Sequence, residues 1–210
     1  MHSVKEYSAK PLPFTKELAG ISKKTMEIHH DKLYVGYVNK MKETREALMH
    51  MCESGDGLSG ANPSYSALRA LRDGETFATN GVYLHEYYFN VLGGTGKAQG
   101  ALVDAIAKKY GSFEKFLAFF SATGMAMRGW VVLAWDAHVG DLRTFGSDAH
   151  NQGGVWSCIP LIVLDVYEHA YFIDYGSDRP RRENTDRVFK NALRFGDKHA
   201  GYGADAARIV

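Results

Sequence analysis

Nine histidines stand in this chain of 210 residues, and three of them sit where an imidazole needs a strong partner. His29 shares helical spacing with Met26, Leu33, Tyr37 and Met41, which predicts a largely apolar helix face. His85 shares a second such face with Val82, Phe89 and Leu92. If the two helices pack as a hairpin, both rings enter one buried seam, and each then needs its own hydrogen-bond partner. His169 follows Asp165 by four residues, and Asp165 ends the apolar run from Pro160 to Leu164. A carboxylate at the end of a covered strand is costly unless it is paired or bound to metal. Three imidazoles and one carboxylate form an N/O donor set that suits iron, manganese or zinc. The Asp165–His169 pair alone also fits a charged hydrogen bond capping the next turn, and spacing leaves both readings open.

These residues must be positioned by elements the pattern also predicts. Residues 1–21 read as an irregular arm with Pro11 and Pro13. Ser22 caps a helix from Lys23 to about Cys52. A loop covers 54–64, followed by helical stretches over Tyr65–Leu71 and Thr76–Leu92, the second softened by Gly81. Gly93–Gly96 marks a boundary between a helical-hairpin domain, 1–95, and an α/β domain, 96–210. The second domain opens with helices over Ala101–Tyr110 and Ser112–Met127, with Ser112 as a cap. Trp130–Trp135 and Leu142–Phe145 pair as a hairpin, and Pro160–Leu164, apolar on both faces, is predicted as a central strand. A last helix covers Thr185–Phe195. The fold class is α+β: an antiparallel helical hairpin followed by an α/β domain with a small three-stranded antiparallel sheet.

Composition narrows the function classes. The chain is 45% hydrophobic and 23% charged, which excludes collagen-like, disordered and coiled-coil proteins. Twenty-five basic side chains against 24 acidic ones leave a formal charge of +1, which argues against a nucleic-acid partner. Cys52 and Cys158 form no disulfide framework and read as reduced thiols. No secretory h-region and no membrane-length apolar run is visible, so a cytoplasmic protein without membrane contact is expected.

The motifs themselves resemble those of the iron/manganese superoxide dismutases. The similarity runs through Pro11-Leu12-Pro13-Phe14, Ile21-Ser22, Glu27-Ile28-His29 and Tyr37-Val38-Asn39-Lys40. It continues through His85-Glu86-Tyr87-Tyr88-Phe89-Asn90, Ser112–Phe116 and Gly129-Trp130. The most specific string is Asp165-Val166-Tyr167-Glu168-His169-Ala170-Tyr171, followed by Asp178-Arg179-Pro180.

The resemblance implies a superoxide dismutase that yields dioxygen and hydrogen peroxide by alternate one-electron steps at one iron or manganese ion, iron being favoured. It assigns metal-ligand roles to His29, His85, Asp165 and His169. One proton taken up with each electron would hold the site's charge constant, so an anion meets a mildly positive target in both half-reactions. Tyr37 falls at the gateway position and Trp130 on the pocket wall. His150, with Gln152 as its competitor, falls where the family hydrogen-bonds the metal's solvent molecule. Position 81, which also serves that role in the family, is a glycine here. Arg179 would steer the anion. Glu168 would reach the partner's metal-binding histidine in a homodimer or tetramer. Two departures go together: Leu33 and Phe172 replace a histidine and a tyrosine that usually hydrogen-bond across the dimer, so an apolar contact is expected there. These departures also keep open an alternative, a metal-binding protein on the same scaffold with weak or different redox activity.

Overall fold

Ser22 opens the first helical region as predicted, its hydroxyl accepting the Thr25 N–H at 3.2 Å. The structure, a computed structural model, describes residues 7–94 and 98–176; Arg179 and the helix expected over Thr185–Phe195 lie outside them. Helix α1 (Lys23–Ile28) runs into a π-helical segment, His29–Tyr34, and on into α2 (Val35–Ser54). Gly55, at φ 76°, closes α2 in the left-handed region. The π segment corrects the expected helix face. An uninterrupted α-helix would keep Leu33 on the face of His29. The wider turn adds a residue, so Tyr34, Val38 and Met41 follow His29 into the core, and Leu33 is only partly buried.

Ser66 caps α3, its hydroxyl accepting the Arg69 N–H at 3.2 Å. This helix is continuous from Ala67 to Val91, where two separate stretches, Tyr65–Leu71 and Thr76–Leu92, the second softened at Gly81, were expected. A glycine costs a helix interior about 1 kcal/mol, and the packing of α3 against both α2 and the sheet outweighs that cost. At Gly81 the absence of a side chain is required: a Cβ there would stand 2.8 Å from Cδ1 of Tyr37. Gly81→Ala is therefore expected to lower stability by about 1–3 kcal/mol through overpacking, despite alanine's better helix propensity. Urea unfolding checks this, and a stabilised variant would show that Tyr37 yields freely.

The second half begins with α4 (Ala101–Tyr110), which Gly111 ends at φ 88°. Ser112 then caps α5 (Phe113–Ala126). The sheet comprises β1 (Trp130–Asp136), β2 (Asp141–Ser147) and β3 (Cys158–Asp165), all antiparallel, in the order β2-β1-β3. The expectation that the Pro160–Leu164 run lies centrally is thus corrected: β1 is central and β3 is an edge. An edge tolerates Pro160, which has no N–H to donate. The run is apolar because α3 packs against β3 and buries its second half, Ile162–Asp165. The register pairs Trp130 with Asp165, so the aromatic that starts β1 stands beside the carboxylate that ends β3.

Candidate metal centre

Three imidazole nitrogens converge on one carboxylate oxygen. Asp165 Oδ2 lies 3.1 Å from His29 Nε2, 3.1 Å from His169 Nε2 and 3.7 Å from His85 Nε2. All four donor atoms fall within 4.8 Å of one another. His29 comes from the start of the π segment, His85 from α3, Asp165 from the end of β3, and His169 from the 3₁₀ turn Glu168–Ala170. The first three side chains are sealed from solvent, while His169 is 25% exposed. The other carboxylate oxygen, Oδ1, accepts the Tyr167 N–H at 2.8 Å, which fixes the rotation of Asp165.

The protonation of His85 follows from its partner. Its Nδ1 lies 2.5 Å from the Gly81 carbonyl, which only accepts, so Nδ1 carries the proton and Nε2 presents a bare lone pair. That Nε2 has no hydrogen-bond partner. A buried lone pair facing a carboxylate oxygen is acceptor against acceptor, an arrangement that a cation between them resolves. The donor set and this orphaned nitrogen together fit a metal ion.

Charge in the metal-free cluster is unevenly held. Burial drives the His85 imidazolium down to about 3, with His29 adding to the shift. Burial also lowers His29, against the pull of Asp165. For Asp165, burial favours the neutral acid, but His169 and His29 outweigh it and hold the carboxyl well below its usual range. For His169, burial is outweighed by the Asp165 charge and hydrogen bond, so its value is raised. In the metal-free protein Asp165 therefore favours the charged form of His169, while burial favours the neutral forms of His29 and His85.

A pH dependence follows for the metal-free chain. Groups with lowered imidazole values take up protons more readily when unfolded, so they cost stability as pH falls below about 6.5. For His85 alone this reaches about 2 kcal/mol at pH 5, and His29 and His150 act in the same direction. His169, whose value is raised, adds stability only as pH falls toward about 6.5 and holds it constant below; Asp165 keeps its contribution until pH falls below about 4. Three imidazoles against one predict a net loss of stability from pH 7 to 5, measurable by urea unfolding in chelator. A gain over that interval would contradict the assignment of protons.

The remaining expected residues surround the cluster. His150 is buried, and its Nδ1 accepts the Trp130 indole N–H at 2.9 Å. The indole only donates, so a neutral His150 carries its proton on Nε2. Burial lowers its value to about 4, which keeps it neutral at neutral pH. Asn80 donates to its backbone carbonyl at 2.9 Å. The His150 ring lies 4.6 Å from Tyr37 and 5.9 Å from His85 between centroids, whereas Gln152 is exposed. Tyr37 is half-buried, 5.4 Å from the His85 ring; burial, then the Asp165 charge, raise its phenol and keep it protonated. Trp130 meets His85 edge-on at 5.0 Å. Glu168 is exposed beside His169, and Phe172 is 50% exposed.

Several residues of the site escaped the sequence reading. Phe77 packs on His150 at 4.6 Å, Tyr88 lies 5.3 Å from His29, and Tyr167 stacks on His169 at 5.2 Å. Phe77 stands eight residues before His85 within the expected stretch Thr76–Leu92, and that spacing was the available signal. Tyr167 lies inside the Asp165–His169 string, where its position between the two donors was the available signal.

A helical hairpin and a three-stranded sheet that bring three imidazoles and a carboxylate together define a protein built to take one metal ion. Residues 6–93 match the family profile for the iron/manganese superoxide dismutase alpha-hairpin domain, and residues 98–186 match that for the C-terminal domain. The chain belongs to the iron/manganese superoxide dismutase family. It is 41% identical over 178 residues to the iron superoxide dismutase of Aquifex pyrophilus, covering 84% of this chain and 82% of that one. It is 36% identical over 178 residues to a manganese superoxide dismutase of Halobacterium salinarum, covering 83% and 85%.

Proposed function

We propose that the protein converts two superoxide anions and two protons into dioxygen and hydrogen peroxide, using one iron or manganese ion per chain. Nε2 of His29, His85 and His169 and Oδ2 of Asp165 would hold that ion. The observation that carries the reading is the convergence of three Nε2 atoms on one buried carboxylate oxygen, with the His85 lone pair left unmatched. Bound there, the ion supplies one-electron oxidation and reduction, which none of the four side chains provides. Asp165 balances its charge, and the Gly81 carbonyl orients His85. His150 Nε2–H and the Tyr37 hydroxyl are protonated groups beside the cluster that can donate to a small anion or to water and take part in proton delivery. Trp130 holds His150 in that tautomer and walls the pocket.

Iron is the favoured metal; the two relatives at 41% and 40% identity are iron enzymes, and those at 34–36% are manganese enzymes. Metal analysis of native protein with superoxide dismutation after reconstitution tests both parts. Activity with manganese alone would overturn the preference for iron, and no activity with either would overturn the reading.

The protein acts as a homodimer or tetramer in this reading, with Glu168 reaching the partner subunit near the exposed edge of His169 and the Leu33–Phe172 contact at the same interface. Exposed Glu168, Phe172 and Ile173 around that edge support it. Arg179, outside the described residues, is the side chain that would steer the anion. The division of the chain at residue 95 is supported by the two profile matches on either side of it. A cytoplasmic setting is supported by two free cysteines; among the described residues no helix is long and apolar enough to cross a membrane.

A further inference from the structure

Glu86 follows His85 on α3, and its side chain is only 11% exposed. Both of its oxygens are engaged. Oε1 accepts the hydroxyls of Tyr7 and Tyr34, the latter at 2.8 Å, and Oε2 accepts from Lys10 Nζ. Tyr34, fully buried, also accepts the Lys10 backbone N–H at 2.9 Å. His30 Nε2 donates to the Lys10 carbonyl at 2.8 Å. Lys10 is thus gripped through its N–H, its carbonyl and its ammonium, and the arm is tied to two helices at once.

Those two helices carry His29 and His85. Tyr34 ends the π segment that His29 begins. A π turn is an unfavourable local geometry that persists where something outside the turn fixes it. Here the ring of Tyr34 fills the core, and its one polar atom is anchored on Glu86. The same carboxylate is one residue from His85. A nearly buried charge with no role at the cluster's donor atoms costs free energy unless it is fully hydrogen-bonded, as this one is.

Resting on the metal site proposed above, we infer that Glu86 is a positioning residue: through Tyr34 and Lys10 it locks the π segment against α3 and sets His29 and His85 at their mutual distance. Its consequence is retention of the metal. This is a role for a residue that makes no contact with the ion.

The test measures loss of iron or manganese from the loaded protein into excess chelator at fixed pH, together with the ion's visible or electron paramagnetic resonance spectrum. Glu86→Ala and Tyr34→Phe should release metal about 10- to 100-fold faster, as loss of outer hydrogen-bond partners does, and should shift the spectrum. Glu86→Gln keeps an acceptor for Tyr34 and should recover most of the wild-type rate. Tyr110→Phe, which removes a part-buried hydroxyl bond to Thr144 far from the cluster, should leave rate and spectrum unchanged. If Glu86→Ala does not fold, Tyr34→Phe decides. Unchanged release and spectrum in Tyr34→Phe and Glu86→Ala, or equal acceleration in Tyr110→Phe, would overturn the inference. Failure of the wild-type chain to bind either metal would overturn the site itself instead.

Discussion

Replacing Asp165 by alanine is expected to leave the protein with less than a tenth of its metal and to lower superoxide dismutation more than 100-fold, beyond what loss of an outer partner causes. Asp165 is the one anion among the four donors, and three neutral imidazoles cannot balance a di- or trivalent ion in a sealed pocket. Its carboxylate also holds the metal-free cluster together, pairing with His29 and His169 at 3.1 Å. Asp165→Asn separates charge from shape. The amide oxygen can still accept from Tyr167, so the local backbone is kept, while the negative charge is lost. Metal per chain by elemental analysis, read beside the circular dichroism of the same sample, checks both variants. Full metal occupancy in the asparagine variant would show that the carboxylate's charge is dispensable.

The second large effect is at His150. His150→Ala removes the Nε2–H donor beside the cluster and leaves the Trp130 indole N–H without its acceptor. The orphaned donor costs about 1–3 kcal/mol of stability. Loss of the positioned proton lowers turnover by about 10²–10⁴-fold, while metal content stays near that of wild type because none of the four donors is touched. His150→Gln, which retains an amide donor, should restore part of the rate. Pulse radiolysis of the metal-loaded variants measures turnover directly. Wild-type turnover in His150→Ala would remove His150 from proton delivery and leave Tyr37 as the remaining candidate.

Three of the donors, His29, His85 and Asp165, were legible because each is out of place locally; His169 entered by its spacing from Asp165, and the four became a ligand set only through the family resemblance. An imidazole on an apolar helix face, or a carboxylate at the end of an apolar strand, carries a cost that demands a partner, and that cost is visible in the pattern. The helical hairpin and the β1–β2 pairing were legible for the same kind of reason, since caps, glycines and alternation all agree. The π segment was not. His29-His30-Asp31-Lys32-Leu33-Tyr34 contains nothing that local propensity marks as a wider turn, so Leu33 was placed where Tyr34 belongs. The edge position of β3 was hidden because a covering helix makes a strand as apolar as flanking strands do. Nothing in the local pattern links Glu86 with Lys10 and Tyr7, whose association depends on contacts 76 and 79 residues apart in the chain.

Crystals of the metal-loaded protein, with anomalous diffraction recorded on either side of the iron and manganese absorption edges, test the account most directly. The predicted result is a single anomalous peak per chain, at one of the two edges, bonded to Nε2 of His29, His85 and His169 and to Oδ2 of Asp165. A peak bound elsewhere, or a fully loaded protein whose four donors remain in direct contact with no ion among them, would contradict it.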